Sequence, residues 1–460
     1  MHGITYIKVS GYKSINQEQK IELRPLTLLA GANSSGKSSI MQPLLLLKQT
    51  LEARYDPGPL LLDGPNIKFT SFDQILSKSN TNKSSDDFTI AIGIHRFPEE
   101  YDEELEEEPK PFVADLKISF KKQESLGFDI KQMTYTADDY PSPIILRPEM
   151  NEQEIAALHP DKEKLEKEMK EFPRNNGQRL IIGRDRFYLV AKRNPNVSIS
   201  LFKSSALIWA KDFPPASETF SPFINEVIHL PGLRGNPERT YPITAVGTAY
   251  QGTFENYVAS IVTRWQVDKK EDKLAHLNAD LNQLGLTGKI KATRINDTQV
   301  ELQVGRLMQG QQSPRDMVNI ADVGLGVSQT LPILVALQAA KPGQLVYLEQ
   351  PEIHLHPRAQ NAMANVLADA AKRGVQVVAE THSSLLLLGI QTLVAEGKLS
   401  PDLVKLHWFS RDENGATSIR SADLDESGAF GDWPEDFDDV TLDAQSRYLD
   451  AAESRQQRIH

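Results

Sequence analysis

Apolar and polar positions interleave from the start of the chain. Ile4, Tyr6, Lys8 and Ser10 alternate with Ile7 and Val9 before Gly11 turns the backbone, the period of a strand. A second extended piece at 20–24 leads into the apolar run 26–30, then the glycine-bearing GANSSGKSS, then residues 40–51 with the broad apolar face of a helix. Between 86 and 137 the segments FTIAIGIHRF and FVADLKISF alternate again and predict antiparallel strands. The acidic run PEEYDEELEEEPKP between them reads as a solvated loop. Residues 151–172 are highly charged with helical spacing, which predicts a projecting helix; 178–193 is strand-like, and 254–284 has the periodicity of two helices packed as a hairpin. From 289 the pattern alternates helix and strand: helix 327–340, strand 344–348, helix 357–373, strand 375–380. The tail is rich in turns and acids and ends in a short helix at 442–455. The expected fold class is α/β: a parallel sheet and an antiparallel β lobe, split in sequence by an inserted helical and β arm. The expected division is 1–150, an insertion at 151–288, 289–410, and an acidic extension at 411–460.

Composition narrows the function classes. Of 460 residues 40 % are hydrophobic and 25 % charged, ample for a core. There is no cysteine, which excludes disulfides, thiolate chemistry and cysteine zinc sites. The apolar runs 44–47 and 385–390 are too short for a bilayer, and the N-terminus lacks the regions of a signal peptide. No membrane partner is expected, and the cytoplasm is the expected location. A net charge of −11 gives no support to nucleic-acid coating, which counterion release from basic surfaces drives, though it leaves DNA open as a partner.

The chemistry is concentrated in three short stretches. Residues Gly31, Ala32, Asn33, Ser34, Ser35, Gly36, Lys37, Ser38 and Ser39 contain G-x-x-x-x-G-K-[ST] after an apolar strand and before a helix. Gly31 and Gly36 permit the tight turn that brings backbone N–H groups onto phosphate oxygens. Lys37 is placed for the β- and γ-phosphates, Ser38 for magnesium, and the helix start adds its positive end. The strand LVYLE ends in Glu349, where a carboxylate can hold the metal's hydration shell. Glu352 is suited to polarising an attacking water. After the next buried strand, His382 is suited to a γ-phosphate contact. His354 and His356 could present two imidazoles to a metal, but a structured turn at an interface suits them better.

In this order GANSSGKSS, VGLGVSQ, LEQPEIHLHP and ETHS resemble the ABC-type ATPases of the SMC, RecF and OLD group. LEQPEIHLHP looks closest to OLD-like ATPases and to ATPase subunits of bacterial anti-phage systems such as Septu. LPGLRGNPERTY and GDWPEDFDDV look like a prokaryotic branch of the same group. The resemblance covers roughly the first 80 residues and 290–410. It implies an ABC-ATPase head, ATP and Mg2+ as cofactors, and a homodimer or higher even oligomer with ATP at the interface. The loop of one subunit would face the signature segment 322–329 of the other. That segment departs from LSGGQ but keeps Gly324, Gly326 and Ser328. Gln74, in SFDQIL, would be the Q-loop residue that reaches the metal, beside Ser38 and Glu349. Arg234 and Arg239 suit either phosphate, a neighbouring subunit or a salt bridge within the fold. Where relatives carry a catalytic glutamate this chain has Gln350, which can position water but cannot take its proton. Either Glu352 is then the base, or hydrolysis is slow and ATP acts mainly as a dimerising switch.

Three functions compete. The first is an ATP-gated switch subunit of anti-phage defence controlling a separately encoded effector protein, such as a nuclease. A RecF- or SMC-like DNA repair or DNA-sensing ATPase is the second, for which 254–284 offers Lys269, Lys270 and Lys273 but no long coiled coil. A self-contained OLD-like nuclease needs a Toprim domain, for which the residues after His382 are too few, and Asp436, Asp438 and Asp439 read as a solvated loop.

Overall fold

The computed structural model describes residues 2–78, 85–97, 111–123, 127–158, 180–193, 213–247, 249–306 and 316–431. Most of the acidic run, the larger part of the charged stretch 151–172, the helix expected at 442–455 and Asp436, Asp438 and Asp439 lie outside the described residues.

Among the described residues, beside a hairpin of β8 (Leu180–Asp185) and β9 (Tyr188–Arg193) and a small antiparallel sheet of β11 (Tyr241–Pro242), β12 (Ile290–Arg294), β13 (Gln299–Gly305) and β14 (Met317–Asn319), two six-stranded sheets form the body. The antiparallel one has the order β2-β1-β4-β5-β6-β7. It is built from β1 (Gly3–Ser10), β2 (Gln19–Glu22), β4 (Asp87–Arg96), β5 (Phe112–Gln123), β6 (Gly127–Ala137) and β7 (Ile144–Leu146). The second has the order β10-β15-β16-β3-β17-β18. Its strands are β3 (Leu26–Gly31), β10 (Ile228–Leu230), β15 (Leu345–Glu349), β16 (Gln376–Thr381), β17 (Val404–Arg411) and β18 (Thr417–Ala422). All its pairings are parallel except that of β18 with β17. The α/β class with a P-loop parallel sheet and an antiparallel β lobe is therefore observed.

The buried strands of the parallel sheet divide their side chains between two cores, as strand alternation requires. Leu29, Leu345, Tyr347, Val378 and Phe409 face α1 (Lys37–Glu52) and the antiparallel sheet. Leu28, Ala30, Val346, Leu348, Val377, Ala379 and Leu406 face the opposite core. Helices line that side: α4 (Val258–Val267), α5 (Glu271–Gln283), α6 (Leu325–Ala339), α7 (Pro357–Lys372) and α8 (Ser384–Ala395). Two further helices, α2 (Glu152–Ala157) and α3 (Ala216–Asn225), pack with the first core. The two halves of 254–284 do meet as helices, with α5 also against α6. β10 adds to the outer edge of β15, so residues 228–230 belong to the central sheet.

Two polar links pin the layers. The buried Gln376 carboxamide pairs both ways with the backbone of Ile4, accepting at 3.0 Å and donating at 2.9 Å, and so joins β16 to β1. Lys48, wholly buried in α1, is neutralised by Glu52 and donates to the carbonyls of Asn225 and Tyr250. A buried cation is tolerated only with such partners. Among the described residues no helix is long and apolar enough to cross a membrane.

Candidate nucleotide-binding site

The loop between β3 and α1 takes its shape from backbone that L side chains avoid. Gly31 has φ 138°, Ser34 60° and Gly36, the N-cap of α1, 103°. A Cβ on Gly31 would run into the Phe409 carbonyl of β17, and one on Gly36 into the Thr417 hydroxyl of β18. Glycine is thus required by both conformation and contact. Asn33 and Ser34 stand in solvent, while Ser35 and Ser39 are buried. Lys37 is folded back onto the loop, donating from Nζ to the carbonyls of Gly31 (2.9 Å) and Ala32 (2.8 Å). Burial lowers its ammonium, opposed by the charges of Glu380 and Glu352.

Beside the loop end β15 and β16, whose parallel register sets Glu349 opposite Glu380 and Glu380 opposite Leu29 of β3. Glu349 accepts from Gly232 N–H at 3.1 Å and lies 3.2 Å from His229 Nε2; the other ring nitrogen of His229 is 3.2 Å from Asn66 Oδ1. Burial alone would raise the Glu349 carboxyl, but the His229 bond, the Gly232 amide and Arg234 outweigh it and hold it below its ordinary range. Glu380 is a different kind of acid. Its Oε2 accepts from the Ser38 hydroxyl at 2.9 Å and its Oε1 from the Tyr347 hydroxyl. Burial first, and then the charge of Glu349, push it up to about 7.

Glu352 and His382 meet on the far side. Glu352 Oε1 accepts from the His382 backbone N–H at 2.8 Å, whereas Oε2 is buried with no hydrogen-bond partner among the described residues. Burial raises this carboxyl, with the His382 amide and Thr381 hydroxyl opposing. Burial also lowers the His382 imidazole, as does Lys37, so the ring is neutral at pH 7. Gln350 sits between these acids at φ 47°, its N–H bonded to the Glu380 carbonyl.

Arg234 ties the site together from behind. Its guanidinium donates to the carbonyls of Gln329 (3.0 Å) and Glu349 (2.9 Å), while the Gln329 amide donates back to the carbonyls of Arg234 and Gly235. Burial lowers it to about 10, still cationic at pH 7. Arg239 is instead exposed and paired with Asp322, at 2.7 Å. Gly324 caps α6, with open space around it, and Gly326 lies against the His354 carbonyl. Ser328 bonds back to the Leu325 carbonyl.

The structure therefore gathers Gly31, Gly36, Lys37, Ser38, Glu349, Gln350, Glu352 and His382 at one end of three adjacent strands. Gln74 is not joined to them: it is exposed and its carboxamide is bonded within its own turn to Thr70. His356 caps α7 through Nδ1. Among the described residues no three His, Cys, Asp or Glu side chains converge as a metal centre. Magnesium in phosphate loops needs no such cage, since nucleotide oxygens and waters complete its shell. The donors present, the Ser38 hydroxyl and hard carboxylate oxygens, fit it, and the orphaned Glu352 Oε2 has an unmet need for a water or cation. Sequence reasoning passed over Glu380, Tyr347, His229 and Asn66. For Glu380 a signal existed: VQVVAE is an apolar strand ending in an acid, like LVYLE.

The family described as "AAA domain, putative AbiEii toxin, Type IV TA system" matches residues 26–388. No curated protein sequence matches the chain significantly. Among solved structures the chain is similar to an Smc head bound to the C-winged helix domain of ScpA, at 12 % identity over 92 % of this chain and 99 % of that one, TM-score 0.47. It is also similar to the SMC head domain from Thermotoga maritima, at 12 % over 91 % and 98 %, TM-score 0.40. A third is an Smc head with an extended coiled coil bound to the C-terminal domain of ScpA derived from Pyrococcus furiosus, at 12 % over 92 % and 97 %, TM-score 0.46.

Proposed function

This chain belongs to the family of the AAA domain, putative AbiEii toxin, Type IV TA system, and from that premise we propose that it is an ATP-driven switch subunit. It binds ATP with magnesium, dimerises around the nucleotide, hydrolyses it slowly, and gates a separately encoded effector in anti-phage defence. The observation that carries the reading is the convergence of Lys37, Ser38, Glu349, Glu352 and His382 at the ends of β3, β15 and β16. The naming of the family after a toxin–antitoxin system, and the likeness of LEQPEIHLHP to defence ATPases, support a partner outside the chain.

Each residue has a chemical task in this reading. Lys37 leaves its two carbonyls for the β- and γ-phosphates, and Ser38 and Glu349 hold magnesium directly or through water. Magnesium, when bound, neutralises phosphate charge. Water adds to the γ-phosphorus, the bond to the β–γ bridging oxygen breaks, and Glu352 Oε2 takes the water's proton. Gln350 orients that water without accepting the proton, and neutral His382 donates to a γ-phosphate oxygen. The open N-terminus of α6, with Gly324, Gly326 and Ser328, offers N–H groups to the γ-phosphate held by a second copy.

The test is phosphate release by the purified protein beside Lys37→Ala, with and without linear DNA, and co-purification from the native host with ATP or ADP. Turnover lost in Lys37→Ala, indifferent to DNA, and a protein retained only with ATP are the expected results. Turnover raised several-fold by DNA would move the reading to a DNA-sensing ATPase.

A further inference from the structure

Glu380 is the most deeply buried acid of the site, and the hydrolytic scheme above gives it no task. Both of its oxygens are engaged by hydroxyl donors, Ser38 on Oε2 and Tyr347 on Oε1. Both oxygens are thus already held by protein donors, in contrast to Glu352 with its orphaned Oε2. What it does hold is the proton of the hydroxyl expected to meet the metal. A serine hydroxyl has one proton and two lone pairs. Ligating a cation uses a lone pair, so the proton needs an acceptor pointing elsewhere, and a hydroxyl without one is free to rotate its proton toward the cation.

We propose that Glu380 is a positioning carboxylate for the divalent cation that accompanies the nucleotide: it accepts the Ser38 proton, leaving the serine oxygen's lone pairs to the metal. The inference rests on the nucleotide-binding reading above. Tyr347 fixes Glu380 in this task. It precedes Glu349 by two residues on β15, and strand alternation sets the two on one face. Its ring also stacks on His229, with centroids 5.4 Å apart and planes 11° from parallel, and His229 is the partner of Glu349. The chain of contacts Ser38, Glu380, Tyr347, His229, Glu349 thus orients both metal-side groups from behind. A Glu380→Gln amide offers one acceptor oxygen to two hydroxyl donors and sets an N–H against the other, so the arrangement fails without loss of volume.

The experiment is equilibrium binding of fluorescently labelled ADP, in EDTA and in saturating magnesium chloride, to wild type, Glu380→Gln, Tyr347→Phe and Ser38→Ala. The ratio of the two dissociation constants reads the metal-linked gain in affinity. Glu380→Gln is expected to cut that gain about tenfold, the loss of one charge-assisted hydrogen bond, while affinity in EDTA stays within about twofold. Tyr347→Phe is expected to cut it less, about threefold. In the double variant Ser38→Ala/Glu380→Gln the loss is expected to equal that of Ser38→Ala alone, because Glu380 acts on the metal only through the Ser38 hydroxyl. An unchanged gain in Glu380→Gln, or an equal fall in EDTA and magnesium, overturns the proposal and leaves Glu380 a buried structural acid. If Glu380→Gln does not fold, Tyr347→Phe decides: an unchanged gain there overturns it equally. Wild-type protein whose ADP affinity ignores magnesium sinks the functional reading itself, a result distinct from failure of the variants alone.

Discussion

Glu352→Gln separates the proposed base from its surroundings because the two oxygens of this carboxylate do different things. Oε1 holds the His382 loop through its backbone N–H, and a glutamine carbonyl keeps that bond. Oε2 has no hydrogen-bond partner among the described residues, so exchanging it for an amide removes chiefly basicity. General-base help contributes at least about a hundred-fold, or about 2.7 kcal/mol of barrier. Turnover is therefore expected to fall about a hundred-fold with nucleotide affinity unchanged. Burial disfavours the ionised carboxylate in the folded protein, so the neutral amide is expected to leave the unfolding midpoint at pH 7 no lower than wild type. Phosphate release under saturating ATP, ADP binding and urea denaturation measure the three quantities. Turnover within about twofold of wild type would refute the assignment. A joint loss of turnover, affinity and stability would instead make Glu352 a pin for the His382 loop.

Arg234→Met removes a buried fork and strands the carbonyls of Gln329 and Glu349, two charge-assisted bonds. It is expected to cost about 3 kcal/mol in urea denaturation and to depress turnover with it. Gly36→Ala forces a side chain into φ 103° against Thr417, and is expected to cost about 1–3 kcal/mol and to abolish retention on ATP–agarose. His407, buried in β17, accepts from Ser421 on Nδ1 and donates from Nε2 to the Glu22 carbonyl, both at 2.8 Å; burial first lowers it to about 4. A depressed histidine contributes stability that is complete above its ordinary value of 6.5 and is lost as pH falls toward 4. The loss across that window is about 3 kcal/mol, and His407→Gln is expected to flatten this part of the urea-midpoint profile against pH relative to wild type.

Much of the scaffold was legible because its signals are local. The strand, glycine loop and helix around Lys37, the apolar strands ending in Glu349 and Glu380, and the period-two segments of β4 and β5 are each written within a dozen residues. The environments of the acids are not written locally. Glu349 is partnered by His229 and Gly232 from 117 or more residues upstream, and Glu380 by Ser38 at a separation of 342. A strand-end acid reads the same in sequence whether it is a solvated cap or a buried acceptor of two hydroxyls. Gln74 shows the converse: its motif suggests a reach toward metal, yet a local turn to Thr70 takes up both ends of its carboxamide.

The order of strands in the parallel sheet also bears on how the protein is made. Among the described residues β3, which carries the phosphate loop, pairs with β16 and β17 alone. At a synthesis rate of about 5–20 residues per second, β3 leaves the ribosome roughly 20–70 seconds before its first sheet partner, about 350 residues later. Throughout that interval a strand that is wholly buried in the finished fold has both edges open, in a chain whose antiparallel lobe can already close on itself. ATP therefore finds no finished site on the growing chain. Under the proposed reading the nucleotide site is complete only once β16 has been made and has paired with β3, and until then the strand that carries the phosphate loop is the one that needs chaperone cover.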